Sequence, residues 1–159
     1  MESNNNPYST EAEQSVLGAV IADPKILPEV MERLKPEYFF NQNHKFIYSA
    51  IMKMYSDSMP TDIVTILDEL QKMKVFNTIE EGRRYLAEIA NMLPTTANVS
   101  SYCNIVIEKY LLRSLSEIAG KIKENINKGD NNPYVLLDSV EQQIYELRRE
   151  QSIKGLLPL

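Results

Sequence analysis

Residue types that carry acid-base, nucleophilic or metal chemistry are scarce in this chain. Its 159 residues include one histidine, His44, and one cysteine, Cys103, too few for a tetrahedral zinc site or a paired-histidine metal motif. The five glycines, Gly18, Gly82, Gly120, Gly129 and Gly155, contain no pair five apart followed by Lys and Ser or Thr. A phosphate-cradling loop is therefore missing, and this segment cannot work as an ordinary P-loop ATPase. His44 could act as a general base in principle, but no nucleophile or oriented carboxylate stands beside it in sequence. The better reading is a capping or surface histidine. Asp68-Glu69 and Glu80-Glu81 are adjacent rather than one helical turn apart, so they read as solvating charge. Catalytic, cofactor-binding and metal-ligating residues are all expected to be none, which leaves a binding or assembly module.

The element that must organise such a module is the stretch from Asn98 to Lys128. Its apolar residues Cys103, Ile107, Leu111, Leu115, Ile118, Ile122 and Ile126 recur in steps of three and four, the period of one helical face. Such a helix is roughly 45 Å long at the standard rise, too long for one small domain to cover. Gly129 suits the left-handed residue closing it, and Asn132 with Pro133 suits the cap and first position of the next helix. That helix, Pro133 to about Glu150, shows Leu137, Val140, Ile144 and Leu147 at seam spacing. The two stripes predict an antiparallel hairpin. Tyr110, Leu112, Leu136 and Tyr145 fall off the seams, and a lone two-helix arm has no third layer to bury them. A second copy of the arm is the expected cover, and hence an oligomer.

Ahead of the arm, Met1 to Tyr8 reads as a disordered lead-in. Thr10 and Glu13 read as a capping box opening a helix with Ala12, Val16, Leu17, Val20 and Ile21 inward and Gly18 at a close helix crossing. Asp23-Pro24 starts a second helix with Ile26, Leu27, Val30, Met31 and Leu34 buried. Tyr38, Phe39 and Phe40 form an aromatic clump, either a core plug or a binding surface. A third helix from His44 to about Tyr55 buries Phe46, Ile47, Ala50, Ile51 and Met54; Asp62 caps a fourth bearing Ile63, Ile66, Leu67 and Leu70. Thr78 to Glu81 is a second capping box, opening a helix with Tyr85, Leu86, Ile89 and Leu93 that Pro94 ends. No stretch reads as a strand. The expected class is all-α: a compact multi-helix head, 9–97, followed by a long protruding antiparallel helical hairpin, 98–150.

With 43% hydrophobic residues the chain can bury a core for one domain and an appendage. Cys103 on an apolar face reads as a reduced core thiol, which favours a cytoplasmic setting. No leader opens the chain and no apolar run is long enough to span a bilayer. Residues 1–97 hold nine Lys and Arg against fourteen Asp and Glu, and 98–159 hold eight against eight. Nucleic-acid backbones demand clustered cations, and only Lys72 with Lys74, Arg83 with Arg84 and Arg148 with Arg149 come close.

Glu11 to Ala19, followed by Asp23-Pro24, resembles the N-terminal domain of the bacterial replicative DNA helicase, the DnaB family. The resemblance continues through Pro36, Glu37 and Phe39; His44 and Ala50-Ile51; Pro60, Asp62, Val64 and Thr65; Tyr85 to Glu88; Pro94 to Asn98; and Tyr102, Ile105-Val106, Leu112-Arg113 and Leu115. It covers roughly residues 8 to 150. Glu81 stands where the family has the first of two glycines, and Gly82 keeps the second.

The resemblance implies a collar in which six copies associate through heads and hairpins above a ring of RecA-type ATPase motors. It implies that ATP and Mg belong to the motor, that residues 151–159 begin the linker towards it, and that the segment is cut from a longer ATP-dependent helicase. Expected partners are the chain itself, with Tyr110, Leu111, Leu112, Leu115, Leu136, Val140, Ile144 and Tyr145 at the oligomer interface, primase, and a helicase loader. DNA would be held mainly through the motor, and the setting would be the bacterial replisome. Candidate primase-docking residues are Glu11 and Tyr85 in the head and Ile118, Ile122 and Ile126 near the tip of the arm. A hairpin seam alone would also explain those isoleucines. The competing readings are a stand-alone helical adaptor and a DNA-binding module, the latter disfavoured by the acidic head.

Overall fold

A computed structural model describes residues 6–92, 98–129 and 132–153. Among them are seven α-helices and no strand, so the chain is all-α as its periodicity predicts. They divide into two units: one is Tyr8–Glu108, the other comprises Lys109 onward with the segment before Tyr8.

The head unit is built around helix α1 (Thr10–Ala22), which is buried nearly all round: Ala12, Glu13 and every residue from Ser15 to Ile21 are covered. Its cap differs from the expected box. The Ser9 hydroxyl, not Thr10, accepts from the Ala12 amide at 3.2 Å, and Glu13 turns into the core. The reason is competition: two orphan amides and an imidazole elsewhere in the head offer that carboxylate more than one amide at a helix start does.

Asp23 accepts from the Lys25 amide at 3.2 Å, with Pro24 opening a short 3-10 turn, Pro24–Ile26, that runs into α2 (Leu27–Arg33). The aromatic clump divides. Tyr38 and Phe39 are buried, Phe39 tilted against Tyr48 at 5.0 Å between rings. Phe40 faces outward and stacks on Tyr8, 4.5 Å away and 12° from parallel. Tyr8, grouped with the lead-in by composition, is thus held by a ring contact; residues 1–5 lie outside the described residues.

Helix α3 (Gln42–Ser56) is capped by Asn41, α4 (Ile63–Lys72) by Asp62 and α5 (Ile79–Ala90) by Thr78, each side chain accepting from an amide three residues on. Helix α1 packs on α5 and α3, and α4 packs on α5 and α3, so four helices share one core. Gly82 marks a tight approach: a Cβ there would lie 2.8 Å from Leu67 Cδ1 and 2.9 Å from Phe76 Cδ2. Of the adjacent acids Asp68-Glu69, only Asp68 solvates the surface. Glu69 is buried and accepts from Lys53 Nζ at 2.7 Å, pinning α3 to α4. That bond is the chief cause of a Glu69 carboxyl held below its ordinary range and a Lys53 ammonium held above its own.

Helix α6 runs from Val99 to Asn127. Its first turns belong to the head: Val99, Cys103, Val106 and Ile107 are all buried there. Arg33, at the end of α2, donates to the Ser100 carbonyl at 3.0 Å and its hydroxyl at 2.9 Å, and to Asn104 Oδ1. The unit Tyr8–Glu108 thus includes residues 98–108, eleven beyond the expected boundary at 97; residues 93–97 lie outside the described residues.

In the second unit, Gly129 lies two residues past the end of α6, and its φ of +69° is the left-handed conformation that its missing side chain permits. Asn132 accepts from the Tyr134 amide at 2.9 Å, capping α7 (Pro133–Ile153) with Pro133 at its first position. Asp130 and Asn131, the middle of the expected reversal, lie outside the described residues. Three of the four expected α7 seam residues are covered, and one position differs. Among its described apolar residues Leu136, Val140, Ile144 and Leu147 are covered, in steps of four, four and three, while Leu137 is exposed. Both series satisfy helical spacing, and only Leu136 continues the line back from Val140 by a full four-residue step.

Candidate functional site

The chemistry-bearing side chains of the head converge at one place. Glu13 on α1 and His44 on α3 are buried, and Glu13 Oε1 lies 2.7 Å from His44 Nδ1. The same carboxylate accepts from the backbone amides of Phe40, at 2.7 Å, and Asn41, at 3.2 Å. Across the imidazole, Nε2 meets the Tyr85 hydroxyl at 2.5 Å, and Gln14 Nε2 donates to that hydroxyl at 3.2 Å. The chain Glu13, His44, Tyr85, Gln14 thus joins α1, α3, α5 and the turn before α3.

The expectation for His44 is corrected here: it is neither a capping nor a surface residue but fully enclosed, with 0% exposure. Asn41 does the capping, accepting from the His44 amide at 3.2 Å. An oriented carboxylate does stand beside the ring, supplied by a helix 31 positions away in sequence. Burial is the main cause of a raised Tyr85 hydroxyl pKa; the Gln14 hydrogen bond pulls it back, and the Glu88 and Glu13 carboxylates add to the rise. Tyr85 keeps its proton. A relay of this kind can orient a hydroxyl.

Of the expected docking residues, Glu11 is exposed and Tyr85 half-buried at the outer end of this chain. The isoleucines of α6 separate. Ile118 is only 9% exposed and Ile122 is half-covered, whereas Ile126 is 59% exposed. Ile126 is the one of the three displayed.

The expected oligomer residues also fall into two sets. Tyr110, Leu111, Leu136, Val140 and Ile144 are half-covered. Leu112, Leu115 and Tyr145 are exposed, Leu112 to 49% and Tyr145 to 59%. Leu111 and Leu115 on α6 and Ile144 and Leu147 on α7 line a cleft of about 260 Å³ with Arg148 and Gln151. The expected list omits Tyr134, Val135 and Leu137, all exposed in the first turns of α7. Four consecutive apolar residues, Tyr134 to Leu137, cannot share one face of a helix, and that was the available signal.

No group of His, Cys, Asp and Glu among the described residues could hold a metal ion, and no described helix is long and apolar enough to cross a membrane. The described features define an all-α module: a helical head with a buried polar relay, and two long helices carrying displayed apolar side chains.

Residues 5–108 match the DnaB-like helicase N terminal domain, and the chain belongs to that family. It is similar to the crystal structure of the N-terminal domain of DnaB helicase from Mycobacterium tuberculosis, with a TM-score of 0.81 at 33% identity, covering 89% of this chain and 99% of that one. Among full-length relatives, the replicative DNA helicase DnaB of Geobacillus stearothermophilus is 38% identical over 145 residues, 91% of this chain and 32% of that protein. The replicative DNA helicase DnaB of Leifsonia xyli subsp. xyli is 33% identical over 153 residues, 96% of this chain and 33% of that protein. The replicative DNA helicase DnaC of Bacillus subtilis is 34% identical over 157 residues. The chain spans about a third of the length of the curated relatives it matches.

Proposed function

We propose that this segment is the assembly and partner-docking collar of a replicative DNA helicase. The observation that carries the reading is the set of large apolar side chains displayed by α6 and α7, with Leu112, Leu115 and Ile126 on one helix and Val135, Leu137 and Tyr145 on the other. Leaving large apolar side chains in water forgoes roughly 25 cal/mol for each Å² that a partner could cover. Copies of the same chain are the proposed cover, by way of Leu112, Leu115 and Tyr145 with the half-covered Tyr110, Leu111, Leu136, Val140 and Ile144 at the margins.

Primase is the second proposed partner, meeting Glu11 and Tyr85 on the head and Ile126 on the arm, and a helicase loader the third. A ring of such sites raises avidity without new contacts. The names of the relatives support a replicative DNA helicase as the full-length protein; by this reading it uses ATP and Mg, acts in the bacterial cytoplasm and holds DNA through its motor. The acidic head is a poor surface for a phosphate backbone.

Capture of the primase C-terminal domain on immobilised chain tests the docking reading. Ile126→Asp, at an exposed position, is expected to cut capture while leaving helicity intact. Undiminished capture by Ile126→Asp and by Tyr85→Phe together would refute it.

A further inference from the structure

We infer that Glu141 is a check on self-association: it sits at the centre of a face of α6 and α7 that pairs with its own copy across a two-fold axis, and its charge keeps that pairing weak. The inference rests on the assembly reading and deepens it by naming the residues that meet.

Both helices display their apolar side chains in one pattern. On α6, the exposed Leu112, Leu115 and Ile126 stand seven before, four before and seven after Ala119. On α7, the exposed Tyr134, Leu137 and Tyr145 stand seven before, four before and four after Glu141. Steps of three and four keep each set on one stripe. The remaining places belong to Lys123, four after Ala119, and Arg148, seven after Glu141, both exposed. The two stripes share a side, because Leu115 of one and Arg148 of the other line the same cleft. The ion pairs Glu117–Lys121, at 3.3 Å, and Glu124–Lys128, at 3.5 Å, fall on the far side of α6.

Each stripe reads the same in position from either end, about Ala119 on one helix and Glu141 on the other. Ala119 is eight residues before the end of α6 at Asn127, and Glu141 is eight after the start of α7 at Pro133, so the two centres lie level. One two-fold axis crossing both helices at that level therefore satisfies both rows, residue i meeting j as j meets i. It sets Leu112 on the partner's Ile126, Leu137 on the partner's Tyr145, and Tyr134 under the partner's Arg148, a cation over an aromatic face. Leu115 lies along the apolar stem of the partner's Lys123. Ile126, at the end of its row, stays at the margin of the pair and open on its other side to the proposed primase contact.

Ala119 and Glu141 meet their own copies. The small alanine lets the helices approach. Glu141 is exposed and has no ion pair among the described residues, and two like charges brought together as water leaves oppose the pairing. The apolar rows favour association, and the charge at their centre limits it.

Sedimentation equilibrium over a dilution series tests this with the chain alone. Glu141→Gln is expected to tighten self-association about ten-fold; unchanged or weaker association would overturn the inference. Glu146→Gln, on another side of α7, should change little, and an equal gain there would show a general effect of net charge and overturn it as well. Glu141→Lys alone keeps a like-charge pair and should associate no more tightly than the parent chain. Mixed in equal amounts with the parent and followed by energy transfer between labelled chains, it should form mixed pairs about ten-fold tighter than either forms alone. Mixed pairs no tighter would place Glu141 away from the axis. If Leu112→Glu with Tyr145→Glu dissociates the chain while Glu141→Gln tightens nothing, the assembly reading stands and this inference alone falls. A single chain in every variant defeats both.

Discussion

Glu13 and His44 stand 31 positions apart in sequence and meet at 2.7 Å in the core of the head, where the carboxylate also satisfies the amides of Phe40 and Asn41. One side chain therefore ties the first helix to the turn and start of the third. Glu13→Ala leaves two amides and an imidazole N–H without their acceptor, at a cost on the order of 3 kcal/mol. Tyr85→Phe removes one bond at the edge of the chain and should cost about 1 kcal/mol. Urea unfolding of both variants checks the ratio; equal losses would mean that the relay is not held from its buried end.

Gly82 is the contact point of α5 with Leu67 and Phe76. Alanine gains roughly 1 kcal/mol of helix propensity over glycine, but its methyl group must displace two core side chains, which typically costs about 1–3 kcal/mol. Net destabilisation of Gly82→Ala is expected in thermal unfolding, and stabilisation would show that the α4–α5 contact is looser than described.

Cys103 is buried among the head's apolar residues, and burial pushes its thiol up to about 11 from 9.0, against the pull of Arg33. The folded state holds the proton more tightly than the unfolded chain. This contribution is therefore complete below pH 9 and lost as pH rises from 9 towards 11, amounting to on the order of 2 kcal/mol. Denaturation at pH 8 and pH 10.5 should show the loss, and Cys103→Ala should flatten it. Alkylation at pH 8 should be far slower in the folded chain than in urea.

Leu136 and Leu137 test the register of α7. Leu136 is half-covered and Leu137 exposed. Leu136→Asp should destabilise the hairpin by on the order of 2 kcal/mol, whereas Leu137→Asp should stay within about 0.5 kcal/mol. The reverse order in circular-dichroism melts would restore the seam through Leu137.

Local rules made much of the architecture legible. Steps of three and four located the helices, Gly129 and Asn132-Pro133 marked the ends of the hairpin helices, and Asp62 and Thr78 named two caps. Each depends on residues within one turn of one another. What escaped was non-local. Glu13 satisfies the same capping pattern whether it reaches back to its own helix or inward to His44, and the choice is made by residues 27 to 31 positions away. Likewise Glu69 reads as solvating charge until Lys53, on another helix, is placed beside it. The first seam position of α7 escaped for a different reason: four consecutive apolar residues offer two candidates for it, and only the facing helix selects one.

The most direct measurement is the mass of the chain in solution across a dilution series, by sedimentation equilibrium or light scattering. The expected result is a self-associating species heavier than 18.3 kDa. Leu112→Glu with Tyr145→Glu should return it to the single-chain mass with its helicity unchanged. A well-folded single chain at the highest soluble concentration, with the same mass in the double variant, would contradict the assembly role.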